Sequence, residues 1–252
     1  MKRHDARLRD SAWLGRLRPV GSALTPRPGT ALLSADALAE RGRHEVRKIL
    51  AARHEAHERR WQQHLAASGI PERFRRKGFA DYQTPLAEQA QAWTGCQDFA
   101  ATLSAGECLG ETLLLLGGSG TGKTHLACAI LANVIRAGRR GWYAPLSGAL
   151  RGLRDAGSRR SNCSETEAFA QFSEPDLLVL DDVMGADQPG RCGLLFEILD
   201  ARYAQQRATI LISELSMAQL EALLGPRLMR RLHEGGLRHE CFTWPSDHHP
   251  AA

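Results

Sequence analysis

Aromatic side chains are scarce in this chain, 6% of 252 residues, and there are only six cysteines. Cys96, Cys108, Cys128, Cys163, Cys192 and Cys241 are scattered, and no two form a C-x-x-C pair. That spacing excludes the usual zinc sites and the disulfide frameworks of small secreted domains. It leaves reduced thiols in a cytoplasmic protein as the expectation. Long hydrophobic runs are also missing. The best are Leu113–Leu116 and Leu177–Leu180, far short of the ~20 apolar residues that a membrane helix needs. The start, Met1-Lys2-Arg3-His4-Asp5, has no apolar stretch of the secretory kind. No membrane contact is therefore expected, and no internal repeat is seen.

The chain is basic, with a net charge of +5 supplied almost entirely by arginine. Much of it lies in residues 1–77, with further groups at Arg151, Arg154, Arg159 and Arg160 and at Arg227, Arg230 and Arg231. A basic balance is compatible with a nucleic-acid partner without demanding one.

Residues 117–124 read Gly117-Gly118-Ser119-Gly120-Thr121-Gly122-Lys123-Thr124, the pattern G-x-x-x-x-G-K-[ST] of the nucleotide-triphosphate P-loop. Its glycines let backbone N–H groups curl inward toward phosphate oxygens. In such a loop the lysine reaches the β- and γ-phosphates and the threonine hydroxyl serves Mg²⁺. The motif lies between a short apolar strand, Thr112–Leu116, and a helix from His125 to Ile135, whose positive end would face the phosphates. ATP and Mg²⁺ are the expected ligands, with Gly117 to His125 as the cradle.

Asp176-Leu177-Leu178-Val179-Leu180-Asp181-Asp182 is a second strand that ends in two carboxylates. With a P-loop upstream, Asp181 is expected to help Thr124 hold Mg²⁺, and Asp182 to polarise the attacking water. Further strands are predicted in the stretch Arg139–Pro145, after a charged turn, and at Ala208–Ser213. Helices are predicted at Ser147–Leu153, Glu167–Phe172, Leu194–Ala204, Met217–Leu224 and Pro226–His233. Strands alternating with helices imply a parallel sheet covered on both faces.

Three stretches are expected along the chain. Residues 1–68 form a basic, mainly helical partner-binding region. Within it lies a Pro-containing linker from Leu17 to Thr30, and the helix over 35–68 has Gly42 as a candidate break and Gly69 as its stop. The apolar stripe of that helix is thin, so it is not expected in the core. Its histidines, His44, His54, His57 and His64, are expected on a solvated face. Residues 69–108 connect to the nucleotide domain, with a helix from Leu86 to Thr102, and residues 109–252 form the ATP-binding domain.

The P-loop, Leu177–Asp182, Thr209–Ser213 and the block Leu223-Leu224-Gly225-Pro226-Arg227-Leu228-Met229-Arg230-Arg231-Leu232 together resemble the AAA+ ATPases of the DnaC/IstB group. Ser68-Gly69-Ile70-Pro71-Glu72-Arg73-Phe74 and Gly78-Phe79-Ala80-Asp81-Tyr82 resemble the segment that precedes the ATPase core in DnaC-type replicative helicase loaders. The resemblance spans roughly residues 45–245. It implies an ATP-regulated loader that binds a hexameric replicative helicase through its N-terminal region, contacts single-stranded DNA and self-associates through its AAA+ part. It also implies an arginine that reaches the neighbouring subunit's γ-phosphate. Arg231 is the favoured residue, with Arg227 next, because a guanidinium forms a fixed, always-charged fork.

Two departures weigh against fast hydrolysis. Ser213 is followed by Glu214, where the family has a polar Thr/Asn-type residue. No arginine follows Phe242-Thr243-Trp244, and His248 and His249 occupy that region. Single-stranded DNA is expected, if anywhere, at Arg154, Arg159 and Arg160 around a flexible loop, with Trp142 and Tyr143 in the core. An IstB-type transposition helper is the alternative. A small-molecule kinase and a nucleotide-binding scaffold without turnover are more distant ones.

Overall fold

The computed structural model describes residues 34–107, 110–156, 164–183 and 191–246. The linker expected over 17–30 and the residues Arg159, Arg160, His248 and His249 lie outside them. Five strands, β1 (Thr112–Gly117), β2 (Gly141–Pro145), β3 (Leu177–Asp181), β4 (Ala208–Ser213) and β5 (Leu237–Phe242), form one sheet in the order β2-β3-β4-β1-β5. Every adjacent pair is parallel. The central strands are buried along nearly their whole length, which is why they read as continuous Leu/Ile/Val runs.

The period of two divides the core into two layers. On one face Leu113, Leu115, Leu177, Val179, Ile210 and Ile212 pack with α2 (Ala87–Ala105) and α3 (Lys123–Arg136). On the other, Leu114, Leu116, Leu178, Leu180 and Leu211 pack with α4 (Leu146–Ala156), α5 (Glu165–Ser173), α6 (Arg191–Ala204) and α7 (Met217–Glu234). Ser164 and Ser216 cap α5 and α7, each accepting a bond from the backbone N–H three residues on. The two helices expected at 217–224 and 226–233 are the halves of α7, which kinks at Gly225 (φ 74°, ψ 163°) ahead of Pro226.

Arg202, only 1% exposed, ties the second layer together. Its guanidinium donates to Thr209 Oγ1 (2.9 Å), to the carbonyls of Phe172 (2.9 Å) and Pro175 (3.0 Å), and to that of Ala208. A buried cation survives there because nearly all its donors are satisfied.

The chain divides into two compact units, Met1–Ala52 and Arg53–Ala252. Helix α1 runs from Ala35 to Ala67 without a break at Gly42, because one glycine costs a helix only about 1 kcal/mol. In the first unit Leu38, Val46, Ile49 and Leu50 are exposed. In the second, His54, His57 and His64 are exposed, but Leu65 is buried and Trp61 packs against the core. Trp61 Nε1 donates to the Ala132 carbonyl (3.4 Å), and its ring lies 4.0 Å from the Arg136 guanidinium carbon. The last turns of α1 therefore join the α3 face despite the thin stripe, because one large ring supplies the area that spacing does not.

Candidate functional site

At the carboxyl ends of the strands a cleft of about 490 Å³ opens between the glycine loop and the segment over residues 73–83. The loop joins β1 to α3, and Gly122 takes the left-handed conformation (φ 95°) that lets the helix begin at Lys123. The loop is tied down from both sides of the chain. Tyr82 Oη (3.2 Å) and Trp244 Nε1 (3.0 Å) both donate to the Thr121 carbonyl. Thr121 Oγ1 donates to the Gly118 carbonyl (2.8 Å).

Lys123 is buried, and its Nζ donates to the carbonyls of Gly117 (2.7 Å) and Gly118 (2.6 Å). Burial pulls its pKa below the ordinary lysine value, while the negative charges of Glu214 and Asp181 oppose that pull. Thr124 Oγ1 lies 2.9 Å from Asp181 Oδ2, and Tyr143 Oη donates to the same oxygen (2.6 Å). The Asp182 N–H donates to Asp181 Oδ1 (2.8 Å). Asp182 itself is exposed at the cleft, with φ at 60°. Aspartate tolerates that left-handed conformation better than most residues.

A hydroxyl and a carboxylate converge beneath the glycine-rich loop. This hard-oxygen donor set suits Mg²⁺ and a phosphate chain. The family model of IstB-like ATP binding proteins matches residues 37–243.

The chain belongs to that family. It is 29% identical over 183 residues to the uncharacterized protein YdaV of Escherichia coli (strain K12), covering 72% of each. It is 25% identical over 180 residues to the replicative helicase loader DnaC of the same strain, covering 71% of this chain and 72% of DnaC. Its fold matches a crystal structure of the DnaC helicase loader with a TM-score of 0.59 at 21% identity, over 69% of this chain and 100% of that one. It matches DnaI with a TM-score of 0.56 at 24% identity, over 70% and 93%. AMPPCP-bound DnaA from Aquifex aeolicus matches with a TM-score of 0.55 at 20% identity, over 68% of this chain and 51% of DnaA. The expected parallel α/β architecture is thus that of an ATP-binding AAA+ P-loop domain.

Within this IstB-like chain the residues expected from the sequence do not all come together. Ser119, Gly120, Gly122, Lys123, Thr124, His125, Asp181 and Asp182 line the cleft. Arg227 and Arg231 do not; both sit on the second half of α7. Arg227 is exposed, its guanidinium 5.5 Å from the Phe196 ring centre. Arg231 pairs with Asp200 and lies beside Gly110 and Thr112, at the end of β1 remote from the P-loop. Arg154 is exposed on α4, its Nε donating to the Leu150 carbonyl. Tyr143 is buried, as expected of a core residue, yet its hydroxyl belongs to the site.

Sequence reasoning missed the wall opposite the P-loop, where Arg73, Phe74, Lys77 and Tyr82 line the cleft. The His125 ring stacks on Phe74 at 6.0 Å between centres and meets Tyr82 edge-on at 5.5 Å. Its Nε2 lies 3.0 Å from the Gly78 carbonyl, which can only accept, so Nε2 carries the proton. Burial holds the His125 pKa below its usual value. The available signal was three aromatic and four basic residues within the ten positions 73–82 of a chain poor in aromatics. Glu214 also lines the cleft. Ser213 does not offer its hydroxyl there. That group donates to the Val183 carbonyl and accepts the Leu215 N–H (3.1 Å).

Proposed function

We propose that this chain is an ATP-dependent switch protein that loads or remodels a replicative DNA helicase on single-stranded DNA during replication initiation. The observation that carries the nucleotide part is the 2.9 Å approach of Thr124 Oγ1 to Asp181 Oδ2 under the P-loop. These two residues would hold Mg²⁺. Bound there, the cation would neutralise phosphate charge. Lys123, whose Nζ donates to two loop carbonyls, would exchange these partners for phosphate oxygens. Asp182, exposed at the mouth, would orient a water.

The wall of Phe74, Tyr82 and His125 offers aromatic surface for a base, with Arg73 and Lys77 adding positive charge. Arg231, remote from its own phosphate cradle, is suited to serve a neighbouring subunit in a self-assembled ring or spiral, with Arg227 beside it. The relatives named as replicative helicase loaders support the helicase as partner, and the exposed apolar residues of α1 support docking through the N-terminal region. Arg154, with Arg159 and Arg160, is the candidate contact to single-stranded DNA.

Native mass spectrometry of the intact chain mixed with a replicative helicase, with and without ATP and Mg²⁺, tests this reading. A complex whose stoichiometry or lifetime depends on ATP is the expected result. No complex under either condition removes the helicase from the proposal. The IstB-like family model favours a second reading, a helper ATPase for a transposase. A nucleotide-dependent complex with a transposase, in place of the helicase, would establish that one.

A further inference from the structure

Tyr143 lies on the edge strand β2, where it pairs in register with Val179, while Pro145 pairs with Asp181. Side chains two apart along a strand share a face, so Tyr143 and Asp181 project to the same side, one step apart along the sheet. The ring is 6% exposed and its hydroxyl reaches Asp181 Oδ2 at 2.6 Å. A carboxylate oxygen can only accept, so the phenol O–H is the donor of this bond. The Asp181 carboxylate thus receives three donors from three parts of the fold: Tyr143 on β2, Thr124 on the P-loop helix and the Asp182 backbone. Of these, Thr124 is the one whose oxygen the cation would require, which leaves Tyr143 as the side chain that fixes Oδ2.

The backbone of the same residue is tied to α1. Tyr143 N–H donates to the Ser68 carbonyl (2.8 Å), and Ser68 Oγ donates to the Leu65 carbonyl (2.7 Å) in the last turn of α1. Gly69 turns the chain away at φ +79°, so close that a Cβ there would stand 2.2 Å from the Tyr143 carbonyl oxygen. One residue therefore touches the end of the N-terminal helix with its main chain and the phosphate-site carboxylate with its side chain.

We propose that Tyr143 is a positioning residue: its hydroxyl sets the Asp181 carboxylate for the divalent cation, and its main chain transmits that setting to the end of α1. The inference rests on the reading of Thr124 and Asp181 as the cation pair. Outer-sphere donors to metal-ligating carboxylates typically matter 10–100-fold for metal affinity.

The test uses the full chain and Tyr143→Phe, which keeps the buried ring. Affinity for a fluorescent ATP analogue is measured with Mg²⁺ and with excess EDTA. The wild type is expected to bind more tightly with Mg²⁺. The variant is expected to match it in EDTA and to lose about tenfold of the Mg²⁺-dependent gain. Equal gains in the two proteins overturn the proposal, as does an equal loss in both conditions, which would make Tyr143 merely structural. A wild type whose affinity ignores Mg²⁺ overturns the cation reading itself, a distinct result.

Hydrogen exchange reads the second half. Peptides covering 64–70 and 141–145 are expected to gain protection with Mg²⁺ and nucleotide in the wild type and not in Tyr143→Phe. The same gain in both overturns the link to α1.

Discussion

The ring of Tyr82 fills the space that a side chain at Gly122 would need: a Cβ there would lie 2.5 Å from Cε2 of Tyr82. Gly122 also sits at φ +95°, where an L side chain is strained. The loop before the core and the P-loop are thus fitted to one another, with the Tyr82 hydroxyl on the Thr121 carbonyl as the polar contact. Gly122→Ala is expected to abolish binding of ATP, read by calorimetry, while leaving the circular dichroism spectrum of the sheet in place. Tyr82→Phe removes one hydrogen bond of about 1 kcal/mol and should lower the melting temperature by about 2–4 °C. An alanine variant that binds ATP normally would show that the fit is slack.

Glu214 lines the same cleft as Lys123. Its carboxylate supports the lysine charge but repels phosphate, and the repulsion grows with each phosphate added. Glu214→Gln is therefore expected to strengthen ATP binding more than ADP binding, shifting the ratio of the two dissociation constants by about fivefold, or ~1 kcal/mol. Titration of both nucleotides into both proteins measures it. An unchanged ratio would mean that the carboxylate turns away when nucleotide binds.

His125 supplies a pH dependence of known sign. Burial depresses its folded-state pKa below the ordinary 6.5, so the unfolded chain takes up the proton first as pH falls. The neutral ring's contribution is complete above about 6.5 and is lost as pH drops from there through the folded value. Urea unfolding at pH 7.5 and pH 5.0 should show a larger loss of stability for the wild type than for His125→Gln, which retains a donor for the Gly78 carbonyl. Parallel losses would place the titrating group elsewhere.

Arg231 lies by Thr112, and the phosphate loop begins at Gly117, five residues on along the strand. At about 3.3 Å per residue the separation is roughly 17 Å, beyond the reach of its own side chain. Arg231→Ala is expected to leave ATP affinity of the isolated chain within about twofold, while hydrolysis by the assembled protein falls by about 10³. Mixing Arg231→Ala with Lys123→Ala should recover part of the activity, because mixed interfaces hold one intact lysine and one intact arginine. A mixture as inactive as either variant alone would take Arg231 out of the role.

The phosphate cradle was legible from the chain because its parts are contiguous. Eight residues between an apolar run and a helix specify their own backbone path, since glycines at φ 146°, 75° and 95° bend the loop wherever it occurs. Leu177 to Asp181 was legible for a related reason: a fully buried strand leaves an unbroken apolar run and its carboxylate falls at the end. The separation of Arg231 from the cleft was not legible, because it depends on which end of the sheet α7 returns to.

The same limit applies to the groups that hold the cradle in place. Tyr82 and Trp244 meet on the Thr121 carbonyl from positions 39 and 123 residues away in sequence, and Tyr143 meets Asp181 across 38. Residue type says only that a tyrosine or tryptophan prefers a buried ring with a polar tip near an acceptor. Which acceptor it finds follows from strand order, register and the turn at Gly69. Those are properties of how distant segments pack, and no local spacing encodes them.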